Sequence, residues 1–298
     1  MNKQLIVITG PTAVGKTELS LKLAKHFSTE IVSADSRQFY KEMNIGTAKP
    51  TTSQLNEVRH HFINSLSIKE DYNAGRFETD CVSLLDKLFQ KHERIILTGG
   101  SGLYINAILY GVDNLPKADC EIRASIKEQF EKNGIESLQQ QLKLLDSEYY
   151  NTADIRNPHR LMRAIEVCLL TGKKYSSLVG KKNEKRNFDF VLFGLQIDKK
   201  ELHERINTRV DKMISEGLVD EVKTLLPFKH CNALQTVGYK ELFQYFEEAI
   251  SLDEAISLIK KHTRNYAKRQ MTWFRKMKEI KWLDASDPLL FEKCISMV

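Results

Sequence analysis

A glycine-rich loop near the start of the chain has the residue types that bind phosphate groups. Residues 10–17 read GPTAVGKT and match the pattern G-x-x-x-x-G-K-[ST]. Its glycines let backbone N–H groups turn onto phosphate oxygens at a helix N-terminus, while Lys16 adds positive charge and Thr17 a hydroxyl for Mg²⁺. The apolar run LIVIT before the loop and the helix-period stretch after it are the required context. The predicted diphosphate site comprises Gly10, Pro11, Thr12, Ala13, Val14, Gly15, Lys16 and Thr17.

The chain lacks the second acidic residue that a nucleotide hydrolase with this loop would carry. In such enzymes an Asp at the end of another apolar strand supports the metal ion. The candidate strand RIILT is followed instead by Gly99, Gly100 and Ser101. Glycines at a strand's carboxyl end indicate either close approach of the backbone to a substrate or a plain tight turn. The missing acid weighs against simple nucleotide hydrolysis.

Asp35 is the acid that could act beside the loop. It follows the apolar run EIVSA, at the predicted tip of the second strand and at the same sheet edge as the phosphate loop. A carboxylate there could support a metal, act as a general base, or cap the turn that follows. Spacing alone does not separate these three roles.

The elements that must position these residues alternate between strands and helices. Helix-period stretches follow the loop, with Leu19, Leu23 and Phe27 four apart, and recur at Leu84, Leu85 and Leu88. The predicted strands are LIVIT (5–9), EIVSA (30–34), HFINSL (61–66), RIILTG (94–99), FVLFGLQI (190–197) and IKWL (280–283). This alternation predicts an α/β fold, a parallel sheet with helices on both faces.

The pattern changes between the two halves of the sheet. Residues 114–187 have helical periodicity without a clear strand and end in the hydrophilic linker GKKNEKRN. We therefore expect a helical insertion at 114–187 within a core formed by 1–113 and 188–298.

Positive charge is concentrated in two segments of the chain. Residues 155–190 have a net charge of +6 and residues 260–281 one of +8, which leaves the remainder at −8 in a chain of net charge +6. Such segments indicate a surface that meets a polyanion, although solvated helix faces are also commonly charged. No apolar stretch is long enough to span a bilayer and no export signal is visible, so we expect a cytoplasmic protein. The five cysteines lie far apart, which favours reduced structural thiols.

Several stretches together resemble one family, the tRNA dimethylallyltransferases. They run in order from residue 10 to residue 276: GPTAVGKT, ADSRQFY, IGTAKP, LTGGSGLY, NPHRLMRAIEV, ERINTRVDKMISEGLVDEV, TVGYKE and KRQMTWFRK. The resemblance implies a P-loop NTPase-like fold that transfers a dimethylallyl group from its diphosphate to N6 of the adenosine 3′-adjacent to the anticodon. The loop would then hold diphosphate as a leaving group. Residues 285–298 contain one cysteine and no histidine, which resembles bacterial members rather than eukaryotic members with a C-terminal zinc finger.

The resemblance also implies roles for individual residues. Asp35 would be the base at N6, in a segment with Ser36, Arg37 and Gln38 that touches the target nucleotide. Lys16, and Thr17 with Mg²⁺, would stabilise the departing diphosphate. Arg205 and Arg209 form an i, i+4 pair of which one is expected to reach the diphosphate, the other possibility being a solvated face paired with Glu201 and Asp211.

The expected partner is the anticodon stem loop of a tRNA, gripped by the insertion. Lys268, Arg269, Arg275 and Lys276 could follow its phosphates or form a solvated helix face, while we expect Trp273 and Phe274 to be core residues. His60 and His61 would point to opposite faces of a strand, which disfavours a shared metal. The tRNA-binding residues implied by the resemblance are Asp35, Ser36, Arg37, Gln38, Ser101, Arg123, His159, Arg160, Leu161, Met162 and Arg163.

Three other functions remain open from the residues alone. A small-molecule kinase would share the loop and the sheet but would turn over ATP. An isopentenyltransferase acting on a free adenine nucleotide would need neither basic segment. A non-catalytic RNA-binding protein would leave Asp35 and the arginine pair unexplained. We expect a monomer that needs no protein partner, with Mg²⁺ as cofactor and dimethylallyl diphosphate as co-substrate.

Overall fold

The computed structural model describes residues 3–113, 115–180 and 185–298. The chain divides into two compact units, one formed by Met1–Leu109 with Arg186–Val298 and the other by Tyr110–Lys185. The second unit begins and ends a few residues before the insertion expected at 114–187. Asn114, at the expected boundary, and residues 181–184 of the expected linker lie outside the described residues.

The first unit is built on one sheet of six parallel strands in the order β3-β2-β4-β1-β5-β6. The α/β fold class expected from the sequence is confirmed. Because all the strands run in parallel, the segments that follow them meet at one edge of the sheet, where α/β folds place their ligands. The strands are β1 Gln4–Thr9, β2 Ile31–Ser33, β3 His60–His61, β4 Arg94–Thr98, β5 Asp189–Gln196 and β6 Lys281–Asp284.

Only the third strand departs from the predicted set. HFINSL was expected to be a strand over 61–66, but β3 is limited to His60–His61. Phe62 and Asn64 have φ angles of 60° and 52°, in the left-handed region, and this backbone cannot continue a pleated strand. The segment instead turns back on the loop after β2, where Ser65 N donates to Phe39 O at 2.8 Å.

Helices cover both faces of the sheet. Leu5, Ile6, Val7 and Ile8 of β1 point alternately to the two faces and are all fully buried. No helix among the described residues is long and apolar enough to cross a membrane. The helices of this unit are α1 Lys16–His26, α2 Thr52–Glu57, α3 Ala74–Leu88, α4 Gly102–Tyr110, α8 Lys199–Ser215, α9 Leu218–Leu225, α10 Tyr239–Phe246, α11 Leu252–Phe274 and α12 Leu290–Ser296.

The second unit is helical, with α5 Cys120–Leu145, α6 Ser147–Thr152 and α7 Pro158–Thr171. α5 bends at Gly134, whose φ is 73°. α7 begins after Asn157, whose side chain accepts from the Arg160 N–H, and ends at Gly172 in the left-handed conformation. The core of the unit contains Ile126, Leu138 and Leu142 of α5 and Leu161, Ala164 and Ile165 of α7.

An aromatic cluster supports the segment that follows β2 and contains Asp35. Phe39 comes directly after this segment, is fully buried, and packs 5.7 Å from the rings of Phe77 and Tyr104. Phe77 in turn lies 4.9 Å from Tyr104 and 5.1 Å from Phe62. These contacts fix the end of the Asp35-containing segment against α3 and α4.

We predict that Phe77→Ala lowers the free energy of unfolding by about 3–5 kcal/mol, because it leaves a cavity inside this cluster. Urea unfolding measures the change. The control is Leu103→Ala, since Leu103 is 52% exposed and a surface change of this kind alters stability by only about 0.5 kcal/mol. Equal losses in the two variants would contradict the assignment of Phe77 to the core.

Candidate active site

The phosphate loop has a backbone conformation that needs support from outside. Gly10 and Gly15 have φ angles of 141° and 106°, and Ala13 has a φ of 66°, which is rarely adopted by a residue with a side chain. A Cβ on Gly10 would lie 2.6 Å from the Leu195 carbonyl oxygen of β5, so glycine is required there. α1 begins directly after Gly15 at Lys16, so the loop leads into a helix N-terminus.

Lys16 holds the loop from within. Its Nζ donates to the carbonyl oxygens of Gly10 at 3.0 Å and Pro11 at 2.7 Å. Burial lowers the pKa of Lys16 to about 7, with a further lowering by the positive charge of Arg209, while the negative charge of Asp35 acts in the opposite direction. Lys16 therefore lies near both Asp35 and Arg209, and an anion beside it would favour its charged form.

Asp35 uses one carboxylate oxygen to shape its own segment and leaves the other available. Its Oδ1 accepts from the N–H groups of Arg37 at 2.9 Å and Gln38 at 3.3 Å. In the described part of the chain, Oδ2 has no hydrogen-bond partner. The turn-capping role and the role as a base are therefore compatible, because each uses a different oxygen.

The residues around Asp35 are fixed by a hydrogen-bond network. The Ser101 hydroxyl accepts from Ser36 N at 3.0 Å and also hydrogen-bonds the Tyr266 side chain. Burial, together with the negative charge of Asp35, raises the pKa of Tyr266 to about 12, so its hydroxyl stays protonated at neutral pH. Gln38 donates to the carbonyls of Thr47 and Ala48, both at 3.2 Å. The loop after β2 is thus joined to the IGTAKP loop and to α11.

The structure separates the two members of the arginine pair on α8. Arg209 donates to the Thr12 hydroxyl at 3.4 Å, and its burial lowers its pKa. Arg205 is held by Glu201 at 2.7 Å on a partly exposed surface. Asp211, expected as another partner of the pair, binds Lys260 at 2.6 Å instead. Arg209 is therefore the arginine of the pair that hydrogen-bonds the phosphate loop.

The glycine pair after β4 is explained by close protein contacts. A Cβ on Gly99 would lie 2.3 Å from the Ala34 carbonyl oxygen, and one on Gly100 would lie 2.3 Å from Gln270 Nε2. This packing was not among the alternatives considered from the sequence, and Gly100 also lines the cavity beside the phosphate loop. The glycines allow the β2 loop and α11 to pack against the end of β4.

The sequence analysis singled out neither Gln270 nor Glu221, although both lie within stretches that resemble the family. Gln270 of α11 bridges Thr12 and Gly100, accepting from Thr12 N and donating to Gly100 O, both at 2.9 Å. Glu221 of α9 anchors the IGTAKP loop. Its carboxylate accepts from the N–H groups of Asn44, Ile45 and Gly46 at 3.0, 2.8 and 3.1 Å and from the Tyr239 hydroxyl at 2.7 Å.

These groups enclose one cavity of about 290 Å³ at the carboxyl edge of the sheet. It is lined by the loop residues from Thr12 to Thr17 and by Asp35, Gln38, Arg209, Tyr266 and Gln270. Backbone N–H groups, a lysine and an arginine at one wall suit a diphosphate, and a carboxylate at another suits proton abstraction. The cavity can therefore hold an anionic leaving group beside a base.

In the second unit, several residues expected at the RNA have structural contacts. Arg123 and Arg163 both donate to Glu166 Oε2, at 2.9 and 2.8 Å, and Glu166 is buried. Leu161 is fully buried in the core, so its side chain cannot contact RNA. His159 and Arg160 are exposed at the start of α7. The described residues give the guanidinium of Arg160 no hydrogen bond or ion pair.

The basic residues of α11 line a separate groove of about 610 Å³ in the first unit. Among the described residues, none that lines this groove is acidic, and the cationic ones are Lys199, Lys261, Arg264, Lys268 and Arg275. Phe274 is fully buried as expected, whereas the expectation that Trp273 is a core residue is wrong. Trp273 is 37% exposed. It lies at the rim of the fold, where it packs against Gly102 at the start of α4.

The histidine pair shows no metal-binding geometry. His61 Nε2 hydrogen-bonds Glu30 Oε2 at 2.5 Å, and His60 Nδ1 lies 2.7 Å from the Val58 carbonyl oxygen. Across residues 3–113, 115–180 and 185–298, no group of three or more His, Cys, Asp or Glu could hold a metal ion. Both histidines make structural contacts, in agreement with the sequence analysis.

Comparisons with known proteins identify the family of this chain. A family model described as IPP transferase matches residues 38–277. The chain is 54% identical over 284 residues to the tRNA dimethylallyltransferase of Christiangramia forsetii, covering 95% of this chain and 94% of the relative. It is 51% identical over 290 residues to the tRNA dimethylallyltransferase of Flavobacterium johnsoniae, with the same shares covered.

Solved structures give the same answer. The full-length tRNA isopentenylpyrophosphate transferase of Bacillus halodurans is 34% identical, with a TM-score of 0.73, over 99% of this chain and 94% of the other. A eukaryotic dimethylallyltransferase acting on tRNA is 27% identical, with a TM-score of 0.80, over 99% of this chain and 77% of the other. On this evidence the chain belongs to the IPP transferase family and is a prenyl transferase that modifies tRNA.

Proposed function

We propose that this chain transfers a dimethylallyl group from dimethylallyl diphosphate to N6 of the adenosine 3′-adjacent to the anticodon, with Asp35 as the base. The observation that carries the proposal is the cavity where the phosphate loop and Asp35 meet. A second observation, the unpartnered Oδ2 of Asp35 in the described part of the chain, supports the same role.

The chemistry needs both a base and a strongly stabilised leaving group. The lone pair of an adenine amino group is delocalised into the ring, so it attacks carbon weakly. As the lone pair forms the N–C bond, the C–O bond breaks, its electron pair stays on the diphosphate, and a proton passes from N6 to Asp35. Proton transfer to a positioned carboxylate accelerates such steps by about 10²–10⁴-fold.

The leaving group would be held at the phosphate loop. Lys16, the N–H groups of the loop and the N-terminus of α1 place positive charge where negative charge develops on the diphosphate. Arg209 adds a second cation at the same wall. Arg205 is assigned no contact with the diphosphate, because Glu201 holds it outside this cavity.

Thr17 is the residue that we propose as the Mg²⁺ ligand. Its hydroxyl lines the cavity, and within the described residues it makes no hydrogen bond. Mg²⁺ binds oxygen ligands and is shared between the protein, substrate phosphates and several waters, so a hydroxyl beside a bound diphosphate suits it. When bound, Mg²⁺ would neutralise charge on the diphosphate oxygens.

We propose that the tRNA contacts both units. In the second unit, exposed His159 and Arg160 are the best-placed side chains, with Met162 beside them and the backbone of Leu161 also within the segment. Arg123 and Arg163 can face RNA only while keeping their bonds to Glu166. In the first unit, Ser36, Arg37, Gln38 and Ser101 would meet the target nucleotide.

The groove on α11 gives the RNA backbone a further path. Lys261 and Lys268 of this helix and Arg275, the residue directly after its end, are spaced seven residues apart. They form a row about 21 Å long at 1.5 Å per residue, and they line the groove together. Such a row suits a chain of phosphates, to which we also assign the exposed Arg269 and Lys276. Contacts of this kind would offset the unstacking of the target base, which takes roughly a few kcal/mol.

The other functions fit the site less well. A small-molecule kinase would not need the basic groove or the exposed Arg160, and a free-nucleotide acceptor would leave both unused. We propose that the protein acts as a monomer in the cytoplasm, where its tRNA acceptor is available.

We predict that Asp35→Asn lowers the rate of transfer at least about 100-fold, because an amide cannot accept the N6 proton. The variant keeps Oδ1 for the Arg37 and Gln38 N–H groups, so tRNA binding should be retained. Single-turnover transfer and filter binding measure the two effects. Asp198→Asn is the control, since Asp198 also caps two N–H groups but at the start of α8. Transfer at the wild-type rate in Asp35→Asn would remove Asp35 from the role of base.

We predict that dimethylallyl diphosphate binding at pH 8 takes up nearly one proton. The pKa of Lys16 is about 7 in the free protein, so the amine is mostly neutral at pH 8, and the bound anion raises this pKa. Affinity should therefore fall as the pH rises above 7. Calorimetry in two buffers of different ionisation heat measures the uptake. Lys16→Arg should show no such uptake, because a guanidinium stays charged, and an equal uptake in both proteins would contradict the assignment.

We predict that Arg160→Ala weakens tRNA binding and reduces the slope of log K against log salt by about 0.7–0.9, as expected for one lost phosphate contact. Fluorescence titration of labelled tRNA over a range of salt concentrations measures this slope. Arg59→Ala is the control, since Arg59 is exposed before β3, at the opposite edge of the sheet from the cavity. The same slope in Arg160→Ala and wild type would move the RNA surface away from α7.

A further inference from the structure

One buried amide on α11 joins the two loops that form the diphosphate wall of the cavity. Gln270 is only 6% exposed. Its Oε1 accepts from Thr12 N in the phosphate loop, and its Nε2 donates to Gly100 O in the loop after β4, both at 2.9 Å. Both polar atoms of the side chain are thus used to connect loops that lie 170 and 258 residues away in sequence.

The phosphate loop needs such a connection because its conformation is strained. Ala13 in the left-handed region is less favourable by about 1–2 kcal/mol, and such a residue persists only when its surroundings over-determine the backbone. Within the described chain, only Lys16 and Gln270 have side chains that hydrogen-bond the backbone of residues 10–15. The conformation of the loop therefore depends on these two residues.

Lys16 and Gln270 differ in how an anion that binds at the loop affects them. Two of the three N–H groups of the Lys16 ammonium already bind loop carbonyls. An anion competes for the same ammonium group. Gln270 carries no charge, and both of its polar atoms already bind protein groups.

Gly100, whose carbonyl oxygen accepts from Gln270 Nε2, is a position at which only glycine fits. A Cβ at this position would lie 2.3 Å from Gln270 Nε2, too close for the amide to keep its place. Gly100 has no positive φ, so a side chain there is excluded by contact with Gln270 rather than by backbone strain. Gly100, the second glycine after β4, and Gln270 are therefore two parts of one contact.

We propose that Gln270 is a positioning residue for the diphosphate: it fixes Thr12, and so directs the N–H groups of residues 13–17 toward the phosphate oxygens. This inference rests on the proposed role of the phosphate loop in binding the diphosphate of the prenyl donor. Gln270 acts on the loop and takes no part in proton transfer. Its loss should therefore affect the donor far more than the tRNA.

The test compares Gln270→Met with wild type. Methionine has a similar length and shape but neither bond-forming group. Calorimetry with inorganic diphosphate and Mg²⁺ gives Kd, and steady-state transfer gives KM for dimethylallyl diphosphate and for tRNA. We expect Kd and the KM for the donor to rise about ten-fold, as expected for the loss of two neutral hydrogen bonds, with the KM for tRNA within about two-fold of wild type.

Gly100→Ala tests the same contact from its other side, and it keeps the proposal falsifiable if Gln270→Met does not fold. It should raise the same two constants and leave the KM for tRNA unchanged. Gln244→Met is the matched control, an exposed glutamine on α10, and should bind diphosphate as wild type does.

Three outcomes would contradict the account, and they are distinguishable. Unchanged diphosphate affinity in Gln270→Met or in Gly100→Ala overturns the positioning role. An equal rise in the KM for donor and for tRNA also overturns it, because general disruption would affect both substrates. Failure of the wild-type protein to bind diphosphate overturns the proposed function of the loop itself.

Discussion

The strained backbone of the phosphate loop is the constraint on which the rest of the site depends. Gly10, Ala13 and Gly15 have positive φ angles, and this shape is what lets successive N–H groups face one anion. Support comes from strand β5 packed against Gly10, from Lys16 within the loop, and from Gln270 on α11. The core that places β1 between β4 and β5 thereby also sets the position of the phosphate loop.

Charge around the cavity is divided between its two walls. Lys16 and Arg209 lie at the loop, and the nearness of two cations together with burial lowers the pKa of Lys16 to about 7. Asp35 lines the same cavity with one oxygen fixed in a turn. A diphosphate would relieve the repulsion between the cations, while a neutral adenine amine could approach the carboxylate. This division suits group transfer between an anion and a neutral nucleophile.

Much of the fold could be predicted from the sequence because the spacing of apolar residues along a strand or helix reflects which side chains are buried. β1, β4 and β5 are buried runs and were predicted closely, whereas HFINSL, which also contains apolar residues, turns at Phe62 and Asn64. Motifs identified Lys16, Thr17 and Asp35. Side chains that act through geometry were not predictable: nothing in the spacing distinguishes Arg209 from Arg205, or marks Gln270, Glu221 and Tyr266, because their partners are distant in sequence.

The most direct test of the account is whether the loop holds a leaving group. Purified protein would be incubated with Mg²⁺, allyl-labelled dimethylallyl diphosphate and unmodified tRNA, without any nucleoside triphosphate. The account predicts label on N6 of the adenosine 3′-adjacent to the anticodon, with one diphosphate released per group transferred. Label on free adenylate in place of tRNA, or no transfer together with consumption of added ATP, would contradict it.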